Sequence, residues 1–207
     1  AAAPAPSSSP RGVRAPTGAA GPGPGVQDGA RRGRSVVERA RRQTALAMFF
    51  PGPARGDSTR FTAEVWAAMA GGLGGRLFIA LRDRRSLAYT VMASSWQRVD
   101  AGGLLLYIAT SPEREDEARG ALLEELARFR EAVPEHAELT RAVNYLAGQA
   151  QVQRQTASSL AGEIADAWLL GQGLEELADP AAGFRLVTAA GVRELAANPR
   201  RRRRAIA

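Results

Sequence analysis

The stretch LRDRRSLAYTV, residues 81–91, gathers three guanidinium groups and one phenol. Arg82 and Tyr89 stand seven positions apart. Both side chains are hydrogen-bond donors, so the pair could be aimed at a ligand. A plainer account uses the same residues. Arg82, Arg84 and Arg85 would close a helix, where cations complement the negative end of the dipole. Tyr89 would then be a half-buried strand residue whose hydroxyl reaches water. The residues alone leave both accounts open.

Other chemistry is sparse. His136 is the only histidine. It sits in PEHAELT at an expected helix start and reads as a solvated or capping side chain. A zinc site built on imidazoles needs two or three of them, and the chain has neither an HxxEH motif nor a cysteine. No GxSxG elbow marks a serine nucleophile. The glycines of GGLGG, residues 71–75, lack the Lys-Ser/Thr of a phosphate loop and read as a helix stop. The carboxylates of EREDEARGALLEE read as the solvent face of an amphipathic helix, with Glu115 and Arg119 as an i,i+4 pair. No catalytic or metal-ligating residue is therefore assigned to this chain.

The elements that must position Arg82 and Tyr89 are legible from periodicity. TALAMFF followed by PGP predicts a strand ending in a turn. In DSTRFTAEVWAAMAGG, Asp57 or Ser58 can cap a helix whose apolar face is Phe61, Val65, Trp66 and Met69. RLFIALRDRR predicts a short second helix. SLAYTVMASSWQRV and LLLYIAT predict two strands around AGG, an antiparallel hairpin. Ser111-Pro112 predicts a capped helix start with acids in the first turn. Leu122, Leu126, Phe129 and Val133 form its stripe, and Pro134 ends it. Further helices are expected at 135–155, 157–170, 174–179 and 189–197. QVQRQTASSL, polar at helical spacing, would face solvent or a partner. The order is α+β: a small, mostly antiparallel sheet with several helices on one face.

The ends differ from the body. Residues 1–41 hold six of the twelve prolines amid Gly, Ala and Ser, too few apolar groups to offset chain entropy, and read as a disordered linker. The folded α+β domain is expected over 42–199, with a basic tail at 200–207. The net charge of +7 is concentrated at the ends: residues 1–42 carry eight Arg against two acids, and 200–204 are five consecutive Arg. Residues 43–199 hold 15 Arg and 19 acids, so the body is mildly acidic. All 28 basic residues are Arg, a pattern of GC-rich coding more than of nucleic-acid chemistry. The arginine run lacks interleaved aromatics for base stacking, so nucleic acid is a lesser alternative partner. No run of eighteen apolar residues is present, so no helical membrane span is expected.

Taken together, RQTALAMFFPGPARGDSTRFTAEVWAAMAGGLGGRLFIALRDRRSLAYTV, SPEREDEARGALLEELARFRE and ELTRAVNYLAGQAQVQRQTASSLAGEIADAWLLGQG resemble a second, non-zinc-binding domain. The family is the pitrilysin/insulinase zinc metallopeptidases, which includes mitochondrial processing peptidase. The resemblance spans roughly 43–197 and rests on order and spacing: a strand into PGP, a helix into GG, then RLF, an Arg and LAY. It implies a ferredoxin-like elaboration serving as a half-subunit. It also implies that Arg82 and Tyr89 hold substrate backbone, while zinc and its HxxEH sit in a partner subunit or a missing N-terminal half. The chain departs from the family in lacking HxxEH, in having one domain, and in a last strand reduced to RRAIA or missing. It is thus expected to be a separated second half and not a peptidase alone. The alternative within the same resemblance is a structural subunit that has kept assembly and lost the site.

Overall fold

The computed structural model describes residues 42–170 and 175–197. The linker expected at 1–41, the basic run and the RRAIA strand lie outside the described residues. Strand β1 (Thr44–Gly52) forms where the sequence predicts a strand, alternates in burial residue by residue, and continues through Pro51. A proline is tolerated there because β1 is an edge strand of the sheet formed by the described residues, with one row of backbone groups facing away from β3. The remaining strands are β2 (Thr90–Gln97) and β3 (Gly102–Thr110), and the sheet order is β1-β3-β2, antiparallel throughout.

Helix α1 (Arg60–Gly71) follows β1, and α2 (Glu115–Glu131) follows β3 through a 3-10 turn. Among the described residues, this β1-α1-β2-β3-α2 order, with β3 between two strands that run parallel to each other, follows the ferredoxin-like arrangement through its second helix. The later helices are α3 (His136–Gln153), α4 (Ala157–Leu169), α5 (Glu175–Ala178), α6 (Ala182–Arg185) and α7 (Ala189–Ala197). The core lies between one sheet face and the helices. Val65, Trp66 and Met69 of α1 meet Leu104, Leu106 and Ile108 of β3, with Leu122 and Phe129 of α2 and Val192 of α7.

RLFIALRDRR is helical as its sequence predicts, with a π-helical turn over Phe78–Asp83. The structure corrects four sequence expectations. Gly102 and Gly103 belong to β3, and the hairpin loop is 98–101. A Cβ at Gly103 would lie 2.3 Å from the Phe49 ring, which stacks on Trp96 at 5.7 Å across the sheet, so glycine here makes room for an aromatic pair. Ser111 makes no side-chain cap bond. Val133 is exposed because α2 ends before it. Glu125 is buried instead of solvated: it lies three residues after Leu122 and four before Phe129, on the apolar stripe, and accepts from Arg128 at 2.7 Å. The sequence reading also missed α6, where Pro180 and Gly183 mask a single helical turn.

Glu64 of α1 lies among Arg55, Arg60 and Glu176. Burial pushes its carboxyl above the ordinary value of 4.5; Arg55 and Arg60 oppose that push and Glu176 adds to it. The folded state therefore binds this proton more tightly than the unfolded chain. Its contribution to stability is greatest below pH 4.5 and falls as pH rises from there through the raised value. Urea midpoints at stepped pH should show Glu64→Gln gaining on the wild type as pH rises through that window. A constant difference would contradict the assignment.

Candidate functional site

Two buried anchors define the segment that carries Arg82 and Tyr89. Leu81 on one side, and Leu87 and Ala88 on the other, are buried in the core, whereas residues 82–86 are exposed. The Leu87 N–H donates to the Leu81 carbonyl at 2.6 Å, closing the intervening residues into a loop. Arg82 leaves one end of that closure. Tyr89 emerges two residues past the other, where its N–H donates to the Ala109 carbonyl of β3 at 2.8 Å. The π-helical turn sets this geometry. Its wider hydrogen-bond ring is seen where the Arg84 N–H reaches the Ile79 carbonyl at 2.9 Å, and such turns are frequent at functional positions.

The loop has little freedom. Ser86 has φ 49°, the one non-glycine residue with positive φ among those described. That left-handed conformation costs roughly 1–2 kcal/mol in an L-residue and needs outside support. Arg114, just before α2, supplies it by donating to the carbonyls of Ser86 at 2.9 Å and Arg85 at 3.2 Å. The buried Thr110 hydroxyl donates to the Leu87 carbonyl at 2.6 Å, and Arg85 pairs with Glu124 of α2 at 2.9 Å. Thr110→Val keeps the side-chain shape but leaves the Leu87 carbonyl without that donor. It should cost about 1–3 kcal/mol, measured by urea unfolding.

The structure places Arg82 and Tyr89 as follows. Tyr89 is 62% exposed. Arg82 is exposed, with its guanidinium carbon 5.2 Å from the centre of the Phe78 ring. Among the described residues neither the Arg82 guanidinium nor the Tyr89 hydroxyl has a hydrogen-bond partner, and no bond joins the two. Both donors remain available to a ligand. Sequence reasoning singled out both residue types but missed Thr110 and Arg114, which brace Leu87 and Ser86 in the loop between them from 23 and 28 residues away. Tyr89 also borders a groove of about 570 Å³ with Arg42, Thr44 and Tyr107.

His136 is exposed at the start of α3, 3.5 Å from the Thr140 hydroxyl. Among the described residues no three His, Asp or Glu side chains converge as metal ligands. Zinc does not fit the described residues, and no chemical step here runs through it.

Comparison with known proteins follows the same line. A family model described as the peptidase M16 inactive domain matches residues 12–146, more than half of the chain. An uncharacterized zinc protease of Mycobacterium tuberculosis is 37% identical over 81 residues, which cover 39% of this chain and 18% of that protein. One from Streptomyces coelicolor is 28% identical over 130 residues, covering 62% of this chain and 28% of that protein. The chain thus spans less than a third of the length of these curated relatives. Among solved structures, the peptidase M16 inactive domain from Pseudomonas fluorescens superposes with TM-score 0.68 at 21% identity, covering 75% of this chain and 38% of that one. The inactive peptidase domain of a zinc protease from Bordetella parapertussis superposes with TM-score 0.67 at 20% identity, covering 79% and 89%. These likenesses confirm the α+β fold. With the family match, they make this chain a member of the peptidase M16 inactive-domain family, the non-catalytic domain of the pitrilysin/insulinase metallopeptidases.

Proposed function

We propose that this chain is the C-terminal-type, non-catalytic half of a zinc peptidase, working with a zinc-bearing subunit or domain of the same family. Its part is to hold the backbone of the substrate peptide through Arg82 and Tyr89. The supporting observation is the closed Leu81–Leu87 loop: it leaves both donors exposed and without hydrogen-bond partners among the described residues, while Leu81, Leu87 and Ala88 anchor the segment in the core. A guanidinium and a phenol that donate to a peptide carbonyl gain strength as negative charge develops on its oxygen, so their effect falls on the transition state. The partner's zinc, when bound, supplies the activated water. The working domain on this reading is 42–199, with 1–41 as linker and 200–207 as tail.

A second reading, assembly alone, draws on the apolar residues left uncovered. Leu160, Ile164 and Trp168 recur every four residues along α4 and are 40%, 46% and 84% exposed. A stripe of this kind suits a packing surface for a sister unit.

Affinity capture from the native source followed by mass spectrometry tests the leading reading. A co-purifying polypeptide, or an extended N-terminus of the same chain, that carries HxxEH supports it. A chain recovered with neither removes the peptidase role.

A further inference from the structure

The groove beside Tyr89 carries an inference that deepens the peptide-holding role and rests on it. Its shape comes from two small residues. Ala45 of β1 and Ala109 of β3 face each other in register, and Tyr107, two residues before Ala109 on β3, stands beside them as a wall. The rim is supplied by Arg42, Gln43, Thr44 and Tyr89. Together these offer a guanidinium, two phenols, a hydroxyl and an amide, and no carboxylate is among the described lining residues. This lining runs against the balance of the body, since residues 43–199 carry 19 acids against 15 arginines. Donor-rich walls and one cation over a small apolar floor suit an anionic group of modest size. A carboxylate satisfies them best: it accepts a forked pair of bonds from a guanidinium and further bonds from hydroxyls.

We propose that this groove is a subsite for a carboxylate of the bound peptide, an acidic side chain or a free C-terminus, and that it selects substrates accordingly. Arg42 is the selecting residue, and Ala45 keeps the groove open. The preference is set next to the backbone that Tyr89 holds, so one peptide reaches both.

The test uses the full chain and fluorescence anisotropy with labelled hexapeptides at low salt. Three probes differ only in their carboxylates: Ala-Ala-Ala-Glu-Ala-Ala with an amidated C-terminus, its Gln counterpart likewise amidated, and the Gln peptide with a free C-terminus. The wild type should bind one or both carboxylate probes about tenfold more tightly than the neutral one. The tighter of the two identifies the source of the carboxylate. Arg42→Glu should erase or reverse that ratio, and Ala45→Leu should lower it by filling the groove. Equal binding of all three probes by the wild type, no binding of any probe at millimolar concentration, or a ratio unchanged in Arg42→Glu overturns the proposal. The underlying reading fails separately. If Arg82→Ala and Tyr89→Phe leave all affinities unchanged while Arg42→Glu removes the ratio, a carboxylate site exists without the backbone grip. If those two variants weaken every probe while the wild-type ratio is one, the grip exists without the subsite.

Discussion

Alanine at position 82 should lower kcat/KM of the assembled peptidase by roughly thirty- to a thousandfold, the range expected when one preorganised donor to a developing oxyanion is removed at about 2–4 kcal/mol. The folded chain should scarcely register the change. Arg82 is exposed, and its one side-chain contact among the described residues is the Phe78 ring at 5.2 Å, a separation at which an exposed cation–π contact contributes about 0.5–1 kcal/mol. Large kinetic loss beside small stability loss separates a ligand-gripping residue from a structural one. Arg82→Lys should recover only part of the rate, because an ammonium cannot reproduce the planar fork of donors. An activity within twofold of the wild type for Arg82→Ala would move the chain to the assembly reading.

Phe129→Ala should have the converse effect, a loss of about 3–5 kcal/mol in unfolding free energy with the exposed site residues untouched. Phe129 is fully buried on α2. Its ring packs against Trp66 of α1 at 5.5 Å between centroids, and the Arg76 guanidinium carbon lies 4.3 Å from its centre. Truncation leaves a cavity at the meeting of α1, α2 and the approach to the π-helical turn. Arg76 should stay in place, held by two bonds of 2.7 Å to Glu138 of α3, so collapse into the space is resisted and the cost sits high in the range. Urea unfolding of Phe129→Ala beside Leu123→Ala gives the contrast. Leu123 lies on the same helix at 48% exposure, and its truncation should cost far less.

The regular elements were legible because periodicity reports a buried face directly. The short apolar run TALAMFF bounded by PGP gave β1, and the spacing of Leu122 and Phe129 gave α2. Departures arose where a distant partner decides. The π-helical bonds of RLFIALRD lead into the Leu87 N–H closing onto Leu81, a geometry that helical periodicity does not register. The aromatic pair over Gly103 joins positions 49 and 96, so AGG looks like a turn when only its neighbours are considered. Glu125 sits on an apolar stripe, and composition alone assigned it to water. The candidate site shows the same split. Arg82 and Tyr89 stood out by type and spacing, and the family resemblance gave them a role. Their bracing by Arg114 and Thr110, and the groove between β1 and β3, appear only once the strands are in register.

The central account is that this chain holds the peptide while another half cuts it. The most direct test is peptide hydrolysis in three samples: this chain with added zinc, the HxxEH-bearing half alone, and the two combined. The account predicts turnover only in the combined sample, and its loss there when Arg82→Ala and Tyr89→Phe are introduced together. Turnover by this chain alone, or equal turnover with and without it, would contradict the account.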